Sequence, residues 1–553
     1  MEYSRRKSDS ATSSYHENLL KSSRSITSVL TSDCFGELEQ ESPINYYSLS
    51  EDIGPKKANS KSQMNLVSVL KELHWKEMTS DKDLKLICND LYDLLRGHLA
   101  TCKILEELFL SLKEIDVNHQ NLLEEMNKRS ESFETKISTE LSSYLLCTVH
   151  NLVPIYMQLI NQYPIYISAM DQLVKSKQTF RNDFMSFETS QKCYIPVNWM
   201  LLKISHRLVN WQPVLARFIE VLLSETGVED EMTAIRVSLD KIIEFSEKTK
   251  QSRMALEEYV ATLQLERDTG MTGMLCNPNR KILRFGFVSR WSQRGPCSRI
   301  MILCTDRILF GHRTPASDGS CFSIHAEIKL KGLVVEEGDT YNVMKGEKEV
   351  ITLHNADKSI VFAVTDRPMW LEDITTAVKL SARAKVDLPS LVVEKKDETN
   401  GDGLKHAWSE DGSQAFKLSP LQVCWHRKCS LGIKDINKMA TNTMCGYLLR
   451  KLRNSAGWQK LWVVLTCHSL FFYKNHEEKI PLACLSLLDY GIGLPNINDN
   501  LTYDNCFKLF YGSHQYFFRA DTHYFFERWI DSILQAAISR NSLDIVTTLA
   551  LRI

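Results

Sequence analysis

The feature that most constrains the fold is a change in the spacing of apolar residues partway along the chain. Residues 63–266 place apolar side chains three and four positions apart, as in "DLKLICNDLYDLL", which is the period of amphipathic helices. From "KILRFGFVSRW" onward apolar and polar residues alternate, which is the period of strands, and turn-forming sequences such as "SQRGPCS" separate them. We therefore predict a multidomain α plus β protein in which an all-α bundle of long helices precedes β structure.

The strand pattern occurs twice. Each block of strands ends in a helical segment with one Trp, and these segments are "DRPMWLEDITTAVKLSARAK" with Trp370 and "DTHYFFERWIDSILQAAI" with Trp529. Duplication of a module leaves this kind of repeat. Each block fits a seven-strand barrel or sandwich closed by a C-terminal helix.

Composition and turn-forming residues divide the chain into six parts. We predict a disordered Ser-rich tail, the helical domain, a first barrel, a linker, a second barrel and a short tail, at residues 1–62, 63–266, 267–386, 387–443, 444–540 and 541–553. The linker is not uniformly polar, because it contains the apolar island "LQVCWHRKCSLGI". We therefore expect part of the linker to be packed against a domain.

Charge and cysteine usage exclude several classes of function. Among 553 residues, 67 Lys and Arg balance 68 Asp and Glu, so no overall field favours nucleic acid as a partner. No apolar run approaches the roughly 18 residues that cross a bilayer, and the amino terminus lacks a signal region, so we predict a cytoplasmic protein. The 15 Cys form no Cys-x-x-Cys pair, so we predict neither a zinc site nor a disulfide framework.

One stretch carries two patterns at once, "VNWMLLKISHRLVNWQPVLARF" at residues 197–218. Its apolar residues follow three- and four-residue steps and predict one buried helix face. The polar residues Lys203, His206, Arg207 and Asn210 gather on a second face. Pro213 lacks a backbone N–H, which predicts a bend at that position. The polar face is either a solvated surface or a binding site.

Other stretches resemble known domains. "GYLLRKLRNSAGWQKLWVVL", with "FERWI" after it, resembles a pleckstrin homology domain, and "RFGFVSRW" with "MWLEDI" resembles a more divergent copy. An all-helical segment before such a domain is the arrangement of Dbl homology exchange factors. "LLKISHRLVNWQPVLARF" is similar to the helix of that domain that lies against the switch regions of a Rho-family GTPase.

A narrower resemblance covers roughly residues 63–540. "KCYIPVNWMLLKISHRL", "HQNLLEEMNKRSESFE", "VCWHRKCS" and "NSAGWQKLWVV" together resemble the FERM, RhoGEF and pleckstrin domain-containing proteins, the FARP group. The FERM module of that group has no counterpart in this sequence, so we expect a short form or the loss of that module. The resemblance implies a guanine nucleotide exchange factor for Rho/Rac-family GTPases, with a role in actin remodelling at the cell periphery.

The resemblance also implies site residues. Glu77 falls at the position of the Glu that contacts the first switch region, and Lys203 and Arg207 match the basic residues that contact the second. His206 and Asn210 complete the predicted GTPase-binding set. An exchange factor breaks no covalent bond, so we predict no enzyme chemistry, no catalytic residue, no metal and no cofactor.

The barrels offer two further roles. In the resembled group both barrels fold back over the GTPase site, which implies autoinhibition, and Cys424 and Trp425 in the linker are the predicted anchors. Alternatively, the second barrel contacts an anionic membrane surface or a phosphoinositide weakly, through basic residues of its first two strands, Arg450, Lys451, Arg453 and Lys460. Packing within the molecule is the competing role for that barrel.

Ser80 and Asp81 stand where the first helix of the resembled domain usually has an aromatic and an aliphatic residue. This departure keeps open a weak or inactive GTPase-binding scaffold, or a membrane adaptor, as alternatives to an exchange factor.

Overall fold

The structure is a computed structural model, and it describes residues 66–129, 139–223, 229–271, 273–314, 321–347, 349–355, 358–383, 388, 391, 419–452, 457–496, 499–501 and 503–537. The predicted tails at 1–62 and 541–553 lie outside these residues, as does most of the predicted linker. No helix in the described part of the chain is long and apolar enough to cross a membrane.

The first half is helical. Its helices are α1 (Leu66–Lys85), α2 (Tyr92–Leu99), α3 (Lys103–Arg129), α4 (Thr139–Ser176), α5 (Gln178–Thr189), α6 (Val197–Ser205), α7 (Gln212–Leu222) and α8 (Glu229–Thr269). A π-helical turn, Leu86–Leu91, joins α1 to α2. The apolar residues with the predicted three- and four-residue spacing form a buried stripe, since Leu84, Ile87, Leu91 and Leu95 are at most 1% exposed.

The predicted bend at Pro213 is wrong. The helix stops at Ser205, a 3-10 turn spans Val209–Trp211, and α7 starts at Gln212 with Pro213 in its first turn. Pro is tolerated in a first turn because the backbone N–H groups there have no intrahelical acceptor. The interruption therefore lies upstream of Pro213, at the predicted polar residues His206 to Asn210.

Two antiparallel sheets follow. The first sheet domain contains β1 (Ile282–Ser292), β2 (Gly295–Cys304), β3 (Arg307–Arg313), β4 (Phe322–Lys329), β5 (Val334–Glu337), β6 (Val350–His354) and β7 (Ser359–Ala363), followed by α9 (Arg367–Arg383). Its strand order is β4-β3-β2-β1-β7-β6-β5. Trp370 of α9 is fully buried in the core of this domain, as the apolar side of the helix predicted.

The second sheet domain repeats this plan. Its strands are β9 (Met444–Leu452), β10 (Gln459–Thr466), β11 (Ser469–Tyr473), β12 (Ala483–Ser486), β13 (Gly491–Gly493), β14 (Cys506–Tyr511) and β15 (His514–Arg519), followed by α12 (His523–Ala537) with the buried Trp529. The order β12-β11-β10-β9-β15-β14-β13 matches that of the first domain. The predicted fold class, a helical bundle followed by two sheets with C-terminal helices, is confirmed.

The described part of the linker is structured. It forms α10 (Pro420–Arg427), β8 (Ser430–Gly432) and α11 (Ile433–Thr441). Strand β8 pairs with β1 and so extends the first sheet. Gly286 permits this pairing, because a Cβ there would lie 2.4 Å from the Cα of Ser430. The linker is therefore attached to the first sheet domain through backbone hydrogen bonds.

Candidate functional site

The predicted GTPase-binding residues surround the interruption between α6 and α7. Arg207 donates from Nη2 to Oε2 of Glu77 at 2.7 Å, and Trp211 donates from Nε1 to Oε1 at 2.7 Å. His119 Nδ1 lies 2.8 Å from the same carboxylate. Burial raises the pKa of Glu77, but Arg207 and His119 outweigh that effect and hold it at about 2. Glu77 is thus an ionised carboxylate with no exposed surface.

Lys203 belongs to a different cluster. Its Nζ lies 2.7 Å from Oδ2 of Asp83 and donates to the hydroxyl of Tyr194 at 2.9 Å. That hydroxyl in turn donates to Oδ1 of Asp83 at 2.8 Å. Lys203 and Asp83 are both buried, so each charge needs a partner within the protein. The two side chains supply that partner to each other, and the hydroxyl of Tyr194 bonds to both.

His206 forms a third cluster. One ring nitrogen lies 2.8 Å from the carbonyl oxygen of Leu202 and the other 2.7 Å from Oε1 of Glu257 on α8. His206 is fully buried and Asn210 is partly exposed. The polar face of the sequence is therefore not a solvated surface. Its residues Lys203, His206 and Arg207 pair instead with three buried carboxylates, those of Asp83, Glu257 and Glu77.

The second sheet domain covers the clusters of Glu77 and Lys203. A cavity of about 30 Å³ separates the two parts, which is room for only a few water molecules. It is lined on the helical side by Glu77, Lys203, Arg207 and others, and on the other side by Thr443, Met444, Cys445, Val464 and Leu465. A protein partner has no space at this position in the described conformation.

An aromatic contact holds α1 against the second sheet domain. Trp75 stacks on Phe525 with ring centroids 4.8 Å apart and meets Trp462 edge-on at 5.5 Å. Gly446 of β9 allows this approach, because a Cβ at that position would lie 2.9 Å from the Trp75 ring. Such ring pairs add about 0.5–1.5 kcal/mol each beyond the area they bury.

A buried ion pair lies beside the aromatic contact. Arg528 of α12 donates from Nε and Nη2 to both oxygens of Glu72, at 2.8–3.1 Å, and Tyr524 donates to Oε2 at 2.6 Å. Lys76 completes the group at 3.5 Å from Oε1 of Glu72. Burial raises the pKa of Glu72, but Arg528 and Lys76 lower it more, to about 2. Arg528 compensates the charge of Glu72 only while α1 and α12 are in contact.

The linker helix α10 contacts all three parts of the molecule. Ser419, which caps α10, donates from Oγ to Asp268 of α8. Trp425 packs against Phe287 and Phe322 of the first sheet domain, with centroids 5.6 and 5.7 Å apart. The predicted anchors are therefore packed, since Cys424 is also fully buried.

Arg427 makes the third attachment of α10, to the second sheet domain. Its guanidinium carbon lies 4.9 Å from the ring centre of Tyr490 and 5.2 Å from that of Tyr511, and its Nη1 donates to the carbonyl of Leu488. These contacts combine cation–π attraction with a charge-assisted hydrogen bond.

Of the predicted lipid-binding residues of the second sheet domain that the structure describes, only Lys460 is exposed. Arg450 is 5% exposed and donates to Oε1 of Gln459 at 2.8 Å. Lys460 is exposed, with Nζ 4.7 Å from the ring centre of Tyr447. Lys451 is partly buried, and Arg453 lies outside the described residues.

A cationic cluster that the sequence did not predict lies on the first sheet domain. Arg290, Arg299 and His312 each stand two positions from a core residue of β1, β2 or β3, so they share the core-facing side of the sheet. His325 is the extra residue of a β-bulge opposite Phe310 and Gly311, and its Nδ1 lies 3.3 Å from that of His312. Burial together with Arg299, His312 and Arg290 lowers the pKa of His325.

The structure pairs no carboxylate with these four side chains in the part of the chain that it describes. Both histidines are exposed and both arginines are partly exposed, so the cluster, which we call the Arg–His cluster, is open to an anion. In the same described residues no group of three His, Cys, Asp or Glu side chains could hold a metal ion.

Comparison with known proteins gives a consistent picture. Residues 442–537 match the family model of the PH domain. The chain is 29% identical over 497 residues to the FERM, ARHGEF and pleckstrin domain-containing protein 2 of Mus musculus, and 28% identical over 500 residues to protein 1 of the same name in Gallus gallus. Each match covers 85% of this chain. The predicted resemblance to the FARP group is confirmed.

The chain spans about half the length of these relatives, 46% and 47%. Among solved structures, the DH domain of FARP2 is 23% identical and covers 37% of this chain and 96% of its own, with a TM-score of 0.33. A complex of the PDZ-RhoGEF DH/PH domains with RhoA is 15% identical, covers 59% of this chain and 96% of its own, and also has a TM-score of 0.33. Because these scores are low, the arrangement described above rests on the contacts of this chain alone.

Proposed function

We propose that the chain is a guanine nucleotide exchange factor for Rho/Rac-family small GTPases, held closed by its sheet domains. Its similarity to ARHGEF-named proteins over 85% of its length supports the activity. The order of a helical domain followed by two sheet domains, with the second matching the PH domain family, supports it further.

Exchange on such a site requires no covalent chemistry. A factor that binds the nucleotide-free GTPase more tightly than the loaded form weakens nucleotide binding by the same factor, tenfold for each ~1.4 kcal/mol of preference. Glu77 and Arg207 place a carboxylate and a guanidinium beside each other, which suits them to bind a GTPase through charge-assisted hydrogen bonds. Lys203 lines the same cavity as Glu77 and Arg207 and would add a third charged contact.

The observation that carries the proposed closed state is the burial of Glu77 beneath the second sheet domain. Glu77 is 0% exposed, and the cavity beside it is about 30 Å³. A GTPase can reach Glu77 only after α1 separates from the second sheet domain. If the open form is ~1% of molecules, apparent affinity for the GTPase falls about a hundredfold.

Release of a fluorescent GDP analogue tests the activity. Residues 63–266 and the intact chain are compared, at matched folding, on a panel of Rac-, Cdc- and Rho-type GTPases. We expect the helical fragment to accelerate release more than the intact chain does. Equal rates for the two would refute the closed state, and no acceleration by either would refute the exchange activity.

Rac-type substrates, a role at the actin cytoskeleton, and a cytoplasmic location with attachment at the cell periphery belong to the same proposal. They are supported only by the resemblance to the FARP group. Each requires the GTPase panel or imaging of the tagged protein.

A GTPase-binding scaffold without exchange activity is the second candidate. The specific observation in its favour is the internal pairing of Glu77, whose oxygens already accept bonds from Arg207 and Trp211 and face His119. A GTPase must replace this pairing, and Ser80 and Asp81 stand where an aromatic and an aliphatic residue are usual. Tight GTPase binding by residues 63–266 without faster GDP release would establish the scaffold.

A third role is contact with an anionic membrane, and here the Arg–His cluster of the first sheet domain is a better candidate than the predicted residues of the second. Four cationic or titratable groups converge there, and the structure pairs none of them with a carboxylate among its described residues. Mutual repulsion among them is relieved when an anion binds.

A further inference from the structure

Asp268, at the carboxyl end of α8, is a buried carboxyl group whose hydrogen-bond donors, among the described residues, are neutral. It is 5% exposed, Ser419 donates from Oγ to Oδ2, and Gln264 donates from Nε2 to Oδ1 at 3.1 Å. The neighbouring Arg267 is committed elsewhere, with its Nη1 3.1 and 3.3 Å from the oxygens of Glu188. Among the described residues, no cation forms an ion pair with Asp268.

The partner of Asp268 begins the linker helix. The Oγ of Ser419 accepts from the N–H of Gln422 at 3.3 Å, so one hydroxyl both caps α10 and binds α8. The first sheet domain also contacts Asp268, since the N–H of Cys321 donates to the backbone carbonyl of Asp268 at 2.9 Å. Through Trp425 and Arg427 the same helix contacts both sheet domains. The Asp268–Ser419 contact therefore attaches the linker helix α10 to the helical domain.

The charge state of Asp268 bears on that attachment. An ionised carboxylate buried without a cation is costly, because the neutral donors replace only part of its hydration. When α10 detaches, water reaches the carboxylate and the cost disappears. We propose that Asp268 and Ser419 form a proton-dependent latch, in which protonated Asp268 holds α10 against α8 and deprotonated Asp268 favours its release. The consequence for GDP release rests on the proposed autoinhibited exchange activity, whereas the latch itself does not.

The surroundings of Asp268 favour its protonated form, as the latch requires. Burial outweighs the hydrogen bonds from Ser419 and Gln264 and the charge of Arg267, so that the pKa of Asp268 rises from an ordinary 3.8 to about 7. The other polar groups at this junction are Glu188, which is paired with Arg267, and Cys321 and Gln422, which contact each other.

The direction of the pH effect follows from that shift. Because the docked pKa lies above the detached one, docking is strongest at low pH. It weakens as pH rises from about 4 to about 7, and it changes little above that. The window ends at neutral pH, so mild acidification tightens the closed form.

Hydrogen–deuterium exchange of the α10 amides in the full chain tests the latch. Rates are divided by the intrinsic rates at each pH, which leaves the opening equilibrium. For a single proton linked between about 3.8 and about 7, opening increases about tenfold between pH 6 and pH 8. Asp268→Asn keeps the shape and cannot ionise, so its α10 amides should show no such increase. Asp240→Asn removes an exposed carboxylate of the same helix and should retain the tenfold increase.

A second variant guards against a folding defect. Ser419→Ala removes the hydroxyl and leaves Asp268 in place, so its α10 amides should be less protected than wild type at both pH values. Equal pH dependence in wild type and Asp268→Asn, or wild-type protection in Ser419→Ala, would overturn the latch. A normal latch result together with an inactive residue 63–266 fragment would instead refute the exchange activity alone.

Discussion

Nη2 of Arg207 lies 2.7 Å from Oε2 of Glu77, and neither side chain is more than 4% exposed. The two residues that the sequence assigned to opposite switches of a GTPase are thus bound to each other. The second sheet domain closes the space above them. The described conformation keeps the pair satisfied within the chain, and binding of a GTPase requires both the domain and the pair to open.

Removal of Glu77 should lower stability as well as activity. Glu77→Ala leaves the buried guanidinium of Arg207 without its counter-charge, which costs about 3–5 kcal/mol. Urea or thermal unfolding of the intact chain measures the loss. Glu106→Ala on α3, an exposed site, should change stability by no more than about 0.5 kcal/mol. Unfolding of Glu77→Ala at the wild-type midpoint would mean that the pair is not formed in solution.

Gly446→Ala should weaken the contact between α1 and the second sheet domain. The added Cβ would lie 2.9 Å from the rigid ring of Trp75, and backbone strain at this position adds to the effect. We expect faster hydrogen exchange in α1 and faster GDP release by the full chain. Gly97→Ala, in an uncrowded helical position, is the matched control.

A double variant separates crowding from strain. Trp75→Leu provides space for the new Cβ, so combining it with Gly446→Ala should cost less than the sum of the two single changes. Strict additivity would show that Trp75 and Gly446 do not touch.

The contact between α1 and the second sheet domain should open at acid pH and stay closed at neutral pH. The pKa of Glu72 falls from an ordinary 4.5 to about 2 in the closed form, so its contribution is complete above about 4.5 and is lost as pH falls toward 2. The fall corresponds to about 3 kcal/mol. Glu72→Gln should remove that part of the acid sensitivity, as measured by α1 hydrogen exchange at pH 5 and pH 3, and an unchanged difference between the two pH values would contradict it.

Membrane contact through the Arg–His cluster should depend on the first sheet domain. Replacing both Arg290 and Arg299 by Ala should reduce sedimentation with anionic vesicles about tenfold or more, at about 1 kcal/mol per basic residue near the surface. Lys460→Ala, in the second sheet domain, is the control and should bind as wild type does. The reverse pattern would return the role to the residues predicted from sequence.

The sequence predicted local structure better than it predicted partners. The switch in apolar period located the helical and strand regions, and the positions of Trp370 and Trp529 identified the two closing helices, because both signals are local. The break before Pro213 was missed because Pro is tolerated in a first turn. The sequence could not show that the basic residues of the polar face are buried and paired, because their counter-charges come from distant positions, 130 residues away for Glu77 and 51 for Glu257.

Other features depend on geometry that no local pattern carries. The Arg–His cluster requires the bulge that turns His325 to the same side as His312. The pairing of Glu72 with Arg528 joins residues 456 positions apart. In such cases the sequence supplies the residue types, and only the packed domains bring them together.

GDP release by the full chain carrying Arg528→Ala is the most direct measurement. The change leaves Glu72 buried without its main counter-charge, so α12 should separate from α1 and release should accelerate about tenfold or more, since breaking a buried pair costs several kcal/mol. Arg236→Ala, at an exposed site, should leave the rate unchanged. Adding Glu77→Ala to Arg528→Ala should abolish the gain. Increased hydrogen exchange of α1 in Arg528→Ala, without faster GDP release from any Rho-family GTPase, would contradict an autoinhibited exchange factor.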